Sequence, residues 1–259
     1  MPAPARLLAL LLIIGSGLLP RPSDAGSPTA RSWHVSDDLQ VEQLSPDVWM
    51  HTSWATLAND QRYPANGLIV RDGDALMLVD TAWGVEPTRA LLDWIEDELR
   101  LPVRQVVSTH FHDDRIGGWP ALAERDIPLL LAPLTRALAA GEHIDATLGH
   151  ALDGITVGTA VTVGPIEVFY PGPGHSPDNV VVWIPDAQML AGGCAVKASS
   201  ATALGNTADA DLKRWPEAIR RIQQRYPQVR TVVPGHYAPG GPELLDHTLA
   251  LLGSGATPR

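Results

Sequence analysis

Hydrophobic and polar positions change rhythm along the chain, and each change predicts an element. Leu39 to Leu44 and Val48 to Trp54 read as strands, with Ser45-Pro46-Asp47 turning between them. Leu68 to Arg71 and Ala75 to Asp80 flank Asp72-Gly73, a hairpin signal, so the opening block is antiparallel β. From Glu86 the rhythm becomes helical: Pro87 suits a first helical position, and Ala90, Leu91, Trp94, Ile95, Glu98 and Leu99 fall at helical spacing until Pro102 stops the run. The following stretch, Leu101 to Thr109, is rich in β-branched residues and reads as a buried strand. Helix-like pieces at Trp119 to Arg125 and Leu134 to Ala140 enclose a strand at Pro128 to Ala132.

The second half repeats this style. Ala160 to Val163 and Ile166 to Tyr170 are strands around Gly164-Pro165, followed by strands at Asn179 to Ile184 and Gln188 to Ala191. Asp211 to Arg225 and Pro242 to Leu252 read as helices, and Thr231 to Pro234 as a short strand delivering Gly235-His236 into a turn. The expected class is α/β: an αββα sandwich of two packed mixed β-sheets with helices on both outer faces.

Residues 1–25 carry Arg6, an apolar run from Leu7 to Leu19 and small residues at Ser23 and Ala25, the pattern of a cleaved signal peptide. That run is too short to span a bilayer comfortably, so no stable membrane anchor is expected. Residues 26–38 read as a flexible arm and 39–259 as one domain, exported to the periplasm, with monomer as the default state. Removing the leader leaves 17 basic against 28 acidic residues, which argues against a nucleic-acid partner.

Cys194 is the only cysteine, so no disulfide can form within the chain and a lone thiol in an oxidising compartment calls for another role. Metal ligation is the best one available. His110, His112 and Asp114 recur at spacing two just after a predicted strand, and an extended segment would point all three the same way. His175 in Gly174-His175-Ser176, Cys194 in Gly192-Gly193-Cys194 and His236 in Gly235-His236 also follow strands and glycines, which suggests strand ends converging on one centre.

The motifs His110-Phe-His-Asp-Asp-Arg115 with Gly117-Gly118, Tyr63-Pro-Ala-Asn-Gly67, Asp80-Thr-Ala-Trp-Gly84, Gly174-His-Ser-Pro-Asp-Asn179, Gly192-Gly-Cys194, Gly205-Asn206 and Pro234-Gly-His236 together resemble the metallo-β-lactamases. The likeness is to the first subclass of class B, the one with a cysteine ligand, and within it to the verona-type enzymes; it covers roughly residues 40 to 252. It implies that the chain is a hydrolase acting on the β-lactam amide of penicillins, cephalosporins and carbapenems through a metal-bound hydroxide, and so confers antibiotic resistance. Two zinc ions are implied, one held by His110, His112 and His175, the other by Asp114, Cys194 and His236. The wider superfamily has a histidine where Arg115 stands, which weighs against an ester, thioester or lactone hydrolase. Six ligands that leave open positions weigh against a non-catalytic exported zinc-binding protein.

By the same resemblance Asp114 also orients the nucleophile, Lys197 holds the substrate carboxylate, and Asn206 donates to the lactam oxygen, although an asparagine after Gly205 equally suits a loop cap. Arg115 reads as a buried partner for acidic ligands, and Asp80 as a residue able to orient a histidine ligand. Thr56 to Asn66 corresponds to a flap between two strands, with Tyr63 and Trp83 as candidates for the mouth of the site. His34, His51, His143, His150 and His247 match no motif and read as structural or surface residues.

Overall fold

Strands that are apolar on both faces need cover on both sides, and the chain supplies it by stacking two sheets between helices. The structure, a computed structural model, describes Met1 and residues 31–58, 60–141 and 149–254. Strands β1 (Ser32–Ser36), β2 (Leu39–Ser45), β3 (Val48–Thr56), β4 (Arg62–Asp72) and β5 (Ala75–Val79) pair antiparallel in chain order. Helix α1 (Val85–Trp94), prolonged by a π-helical turn at Ile95–Leu99, then crosses to β6 (Val103–Val107), which lies parallel to β5. After α2 (Asp113–Ile116) and α3 (Trp119–Ala123), β7 (Leu129–Leu131), α4 (Pro133–Gly141) and β8 (Gly149–Ala151) complete a sheet ordered β1 to β8.

The second sheet holds β9 (Ala160–Val163), β10 (Ile166–Phe169), β11 (Val181–Ile184), β12 (Met189–Gly193) and β13 (Thr231–Pro234), in the order 13-12-11-10-9. Helix α5 (Trp215–Arg225) separates β12 from β13, and α6 (Glu243–Gly253) follows them. Both sheets mix parallel and antiparallel pairs, as expected.

Alternate residues of the strands sort into three apolar layers. Leu68, Val70, Met77, Val79 and Val107 face Val168, Val182, Ile184 and Val233 between the sheets. Their neighbours Ile69, Leu78 and Val106 turn outward onto Leu91, Leu92 and Ile95 of the first helical layer. Val181, Trp183 and Val232 turn the other way onto α5 and α6. Trp215, Ala218, Ile219 and Ile222 form the buried stripe of α5, spaced as a helix requires. Each such large side chain fully buried is worth about 1.5–3 kcal/mol, so the three layers carry most of the stability.

Four local expectations change. Part of the stretch read as a loose arm, Ser32–Ser36, is strand β1, whose Trp33 meets Trp94 edge-on at 5.2 Å. The flap is mostly strand: pairing runs to Thr56↔Arg62, and only residues 57–61 lie beyond it. Helix α1 begins at Val85, which puts Pro87 inside the first turn and not at its first position. Asp114 sits on α2, where Arg115 and Ile116 N–H groups bond the His112 carbonyl at 2.9 and 3.1 Å, so the spacing of two is not that of one extended segment. Residues 2–30, 59, 142–148 and 255–259 lie outside the described residues, and with them most of the leader, part of the arm, one position of the flap and His143.

Candidate metal centre

Strand direction places the candidate ligands. β10 and β12 each pair antiparallel with β11 and so run the same way, and β13 is parallel to β12. Their following loops, which carry His175, Cys194 and His236, therefore emerge at one end of the sheet. The two sheets are joined at that end: Val180 N–H donates to the Thr109 carbonyl at 2.8 Å, and Asn66 N–H to the Gly235 carbonyl at 2.9 Å. His110 and His112, just beyond β6, and Asp114 on α2 are thereby brought opposite them. Glycine is required at 235, where a Cβ would stand 2.7 Å from both the Cys194 amide nitrogen and its Sγ.

All six candidates meet. His110 Nε2 is 3.1 Å from His112 Nδ1, which is 3.2 Å from His175 Nε2. Cys194 Sγ lies 3.2 Å from His236 Nε2 and 3.4 Å from Asp114 Oδ2, and His236 Nε2 is 3.5 Å from the same carboxylate oxygen. Ligand atoms of Asp114, Cys194 and His236 lie within 4.8 Å of one another, as do those of His110, His112 and Asp114, and of His110, His175 and Cys194.

Outer contacts decide which nitrogen faces inward in three of the four rings. His236 Nδ1 meets the Pro64 carbonyl at 2.6 Å, so it carries the proton and Nε2 turns a lone pair to the centre. His112 Nε2 meets Asp209 Oδ2 at 2.9 Å, which frees its Nδ1. His110 Nδ1 lies 3.3 Å from Thr109 Oγ1, whose own proton goes to Asp80 Oδ2 at 2.9 Å. Asp80 is further held by the Thr109 N–H at 2.7 Å. His175 Nδ1 is buried without a partner among the described residues.

Electrostatics keep four of the donors in ligand form. Burial, with neighbouring imidazoles and cations adding, holds His110 and His175 well below the usual histidine range and His236 at about 4, so the rings stay neutral. Burial alone would raise Asp114, but the charge and hydrogen bonds of Arg115 oppose it, and the carboxylate is held well below its ordinary range. Burial pushes the Cys194 thiol well up, with Arg115 opposing, so a thiolate here calls for a cation beside it. Convergent imidazole nitrogens, a carboxylate and a thiol are the donor set zinc takes.

Arg115 anchors this arrangement from beneath. Completely buried, it donates to Asp114 Oδ2 through Nε (2.9 Å) and Nη2 (2.6 Å), to Asp80 Oδ2 (3.3 Å), and to the carbonyls of Asn66 (2.6 Å) and Gly235 (2.8 Å). Asp80 itself is pushed up to about 6 by burial, with Arg115 and the Thr109 bonds pulling the other way.

Lys197 is 8 % exposed, with Nζ 5.2 Å from the Trp215 ring centroid, so it is no solvated surface lysine. Asn206 is exposed, and its Oδ1 accepts the Ala208 N–H at 3.0 Å; the loop-capping role exists, leaving its NH₂ for another partner. Tyr63 and Trp83 flank His236 at ring-centroid distances of 5.1 and 6.4 Å, and both are half-buried, so Trp83 belongs to the rim and not the core. His34 is exposed, His247 Nε2 bonds the Ala201 carbonyl at 2.9 Å, His150 lies in β8, and His51 is buried in β3. Sequence reasoning missed Asp209 and the Pro64 carbonyl: they lie 97 and 172 residues from their histidines, and no local spacing marks such a pair.

Residues 61–236 match the family model of the metallo-beta-lactamase superfamily. The chain is 40% identical over 216 residues to a metallo-beta-lactamase type 2 of Bacillus sp. (strain 170), covering 83% of this chain and 82% of that one. Among solved structures it resembles the metallo-beta-lactamase from Pontibacter korlensis, with 45% identity, a TM-score of 0.75 and coverage of 83% and 99%. It also resembles the metallo-beta-lactamase FIM-1 from Pseudomonas aeruginosa in its mono-zinc form, with 35% identity, a TM-score of 0.80 and coverage of 87% and 100%.

Proposed function

Since the chain belongs to the metallo-β-lactamase superfamily, we propose that it is a zinc-dependent hydrolase that opens the β-lactam ring of penicillins, cephalosporins and carbapenems, and so confers antibiotic resistance. The observation that carries this reading is the convergence of four imidazoles, a carboxylate and a thiol, brought together from four separate segments of the chain. His110, His112 and His175 would hold one zinc, and Asp114, Cys194 and His236 a second. Zinc in such a site supplies Lewis acidity and lowers the pKa of water to about 7.

The protein's own groups do the rest. Asp114, held from behind by Arg115, has a fixed carboxylate with which to orient the attacking water. Burial lowers the Lys197 pKa, with Cys194 and Asp114 opposing; protonated, its ammonium would meet the carboxylate that these antibiotics share. Asn206 has its amide NH₂ to offer the lactam oxygen. Tyr63 and Trp83 flank His236 and would narrow the mouth on that side.

A charged residue, an apolar run and small residues over 1–25 support export to the periplasm, and no helix among the described residues is long and apolar enough to cross a membrane. Action as a monomer on a small-molecule substrate goes with this reading. The test is hydrolysis of a chromogenic cephalosporin and a carbapenem by purified protein, with zinc and after chelation, alongside elemental analysis. Turnover in zinc, its loss on chelation, and a lower zinc content in Cys194→Ser are expected. Turnover that survives metal removal would overturn the proposal.

A further inference from the structure

Directly after His236 the backbone does something a tyrosine disfavours. Tyr237 has φ 66°, in the left-handed region where L side chains crowd the backbone and glycine is at ease. Two features hold it there. Val232 and Gly240 exchange hydrogen bonds of 2.8 and 3.0 Å, which closes the chain between them into a tight loop. Asn66 Nδ2 donates to the Tyr237 carbonyl at 2.6 Å and to the Pro234 carbonyl at 3.0 Å, drawing the backbone down toward the joint between the sheets.

The ring is left on the rim. Tyr237 is 40% exposed, and its ring meets Tyr63 edge-on at 5.3 Å. Tyr63 in turn meets His236 edge-on at 5.1 Å, and Trp83 lies beyond His236. Aromatic surface thus runs from Trp83 past a metal-ligand candidate to Tyr63 and ends on an exposed ring. A loop that needed only its backbone conformation would be served by glycine, so what the strained position adds is the ring itself.

We propose that Tyr237 is a specificity-determining residue, its ring packing against aromatic or apolar acyl substituents of the β-lactam while the lactam amide lies at the metal centre. The inference rests on the β-lactamase reading and narrows its substrate class.

Benzylpenicillin and 6-aminopenicillanic acid share one bicyclic core and differ by a phenylacetyl group, so their kcat/KM ratio isolates the contact. With zinc-loaded enzyme, Tyr237→Gly should lower the ratio of benzylpenicillin to 6-aminopenicillanic acid by about fivefold, the size of one aromatic contact, chiefly through KM. Tyr237→Phe keeps the ring and should retain the preference. Tyr237→Asn, whose side chain tolerates the left-handed region, should repeat the glycine result and covers the case in which the glycine variant folds poorly. A ratio equal to wild type in the glycine and asparagine variants, whatever happens to both rates together, reduces Tyr237 to a plug over the joint and overturns the inference while leaving the β-lactamase reading intact. Wild-type enzyme that hydrolyses neither penicillin nor any other β-lactam overturns both.

Discussion

Replacing Arg115 by methionine tests whether the candidate centre is built on balanced buried charge. The side chain is completely buried, and its five donor contacts reach two carboxylates and two carbonyls. Methionine fills similar space without donors, so Asp114 and Asp80, which are 7% and 2% exposed, would lose their counter-charge. Breaking a buried pair in this way costs about 3–5 kcal/mol, because the remaining charge stays desolvated. At roughly 2–4 °C per kcal/mol for a domain of this size, the melting temperature of chelated protein should fall by about 6–20 °C.

The pH dependence carries a second signature. Asp114 is depressed in the fold, so in chelated wild-type protein it contributes stability above the ordinary carboxylate pKa that is lost as pH falls through the depressed value. Without Arg115 that acid limb should flatten, since the carboxylate would already favour its protonated form. Urea denaturation at a series of pH values, in chelator and in zinc, measures both effects. A loss below about 1 kcal/mol, the range of an exposed ion pair, would refute the idea that the guanidinium balances buried acids.

Two other perturbations read separate parts of the structure. His51 is wholly buried, with neither ring nitrogen hydrogen-bonded among the described residues, and burial lowers its pKa from 6.5 to about 3. Its contribution is therefore complete above pH 6.5 and is lost on acidification, so the stability of His51→Leu relative to wild type should improve by about 2 kcal/mol between pH 7 and pH 5; parallel urea-denaturation curves at the two pH values would speak against it. Asp209→Ala removes the group that fixes the His112 tautomer, and zinc affinity measured by chelator competition should drop about tenfold. Unchanged affinity would mean that the 2.9 Å contact does not orient the ring.

Legibility followed the physics of each segment. β13 has the same bounds in sequence and structure because the β-branched residues Thr231, Val232 and Val233 run directly into the turn signal Pro234-Gly235. The layered class was equally readable, since runs such as Val181–Ile184 are apolar on both faces and only stacked sheets with helical cover bury them. β1 escaped notice because it is a five-residue edge strand with only two apolar residues, Trp33 and Val35, next to a polar stretch, and its anchor, Trp94, lies far along the chain. The π-helical turn at Ile95–Leu99 has ordinary helical spacing and carries no local mark. In the candidate centre, residue types and glycine contexts marked six positions, but ring orientation depends on Thr109, Asp209 and the Pro64 carbonyl, which belong to other elements.

That division has a structural cause. The apolar layer between the sheets gives way, at the end carrying the ligand candidates, to Asn66, Asp80, Thr109 and Arg115. There the sheets are joined by hydrogen bonds: Asn66 to Gly235, Val180 to Thr109, and Arg115 to Asn66 and Gly235 together. Apolar packing is indifferent to small rotations, whereas a buried hydrogen-bonded joint permits few geometries, because each misaligned donor or acceptor costs about 1–3 kcal/mol. The polar joint therefore trades some tolerance to pH and mutation for fixed positions of Asp114 and the loop that carries His236. By this reasoning the groups that hold the site in register are the same groups through which acid should weaken the fold, and Arg115, which bridges both sheets, is where the two effects cannot be separated.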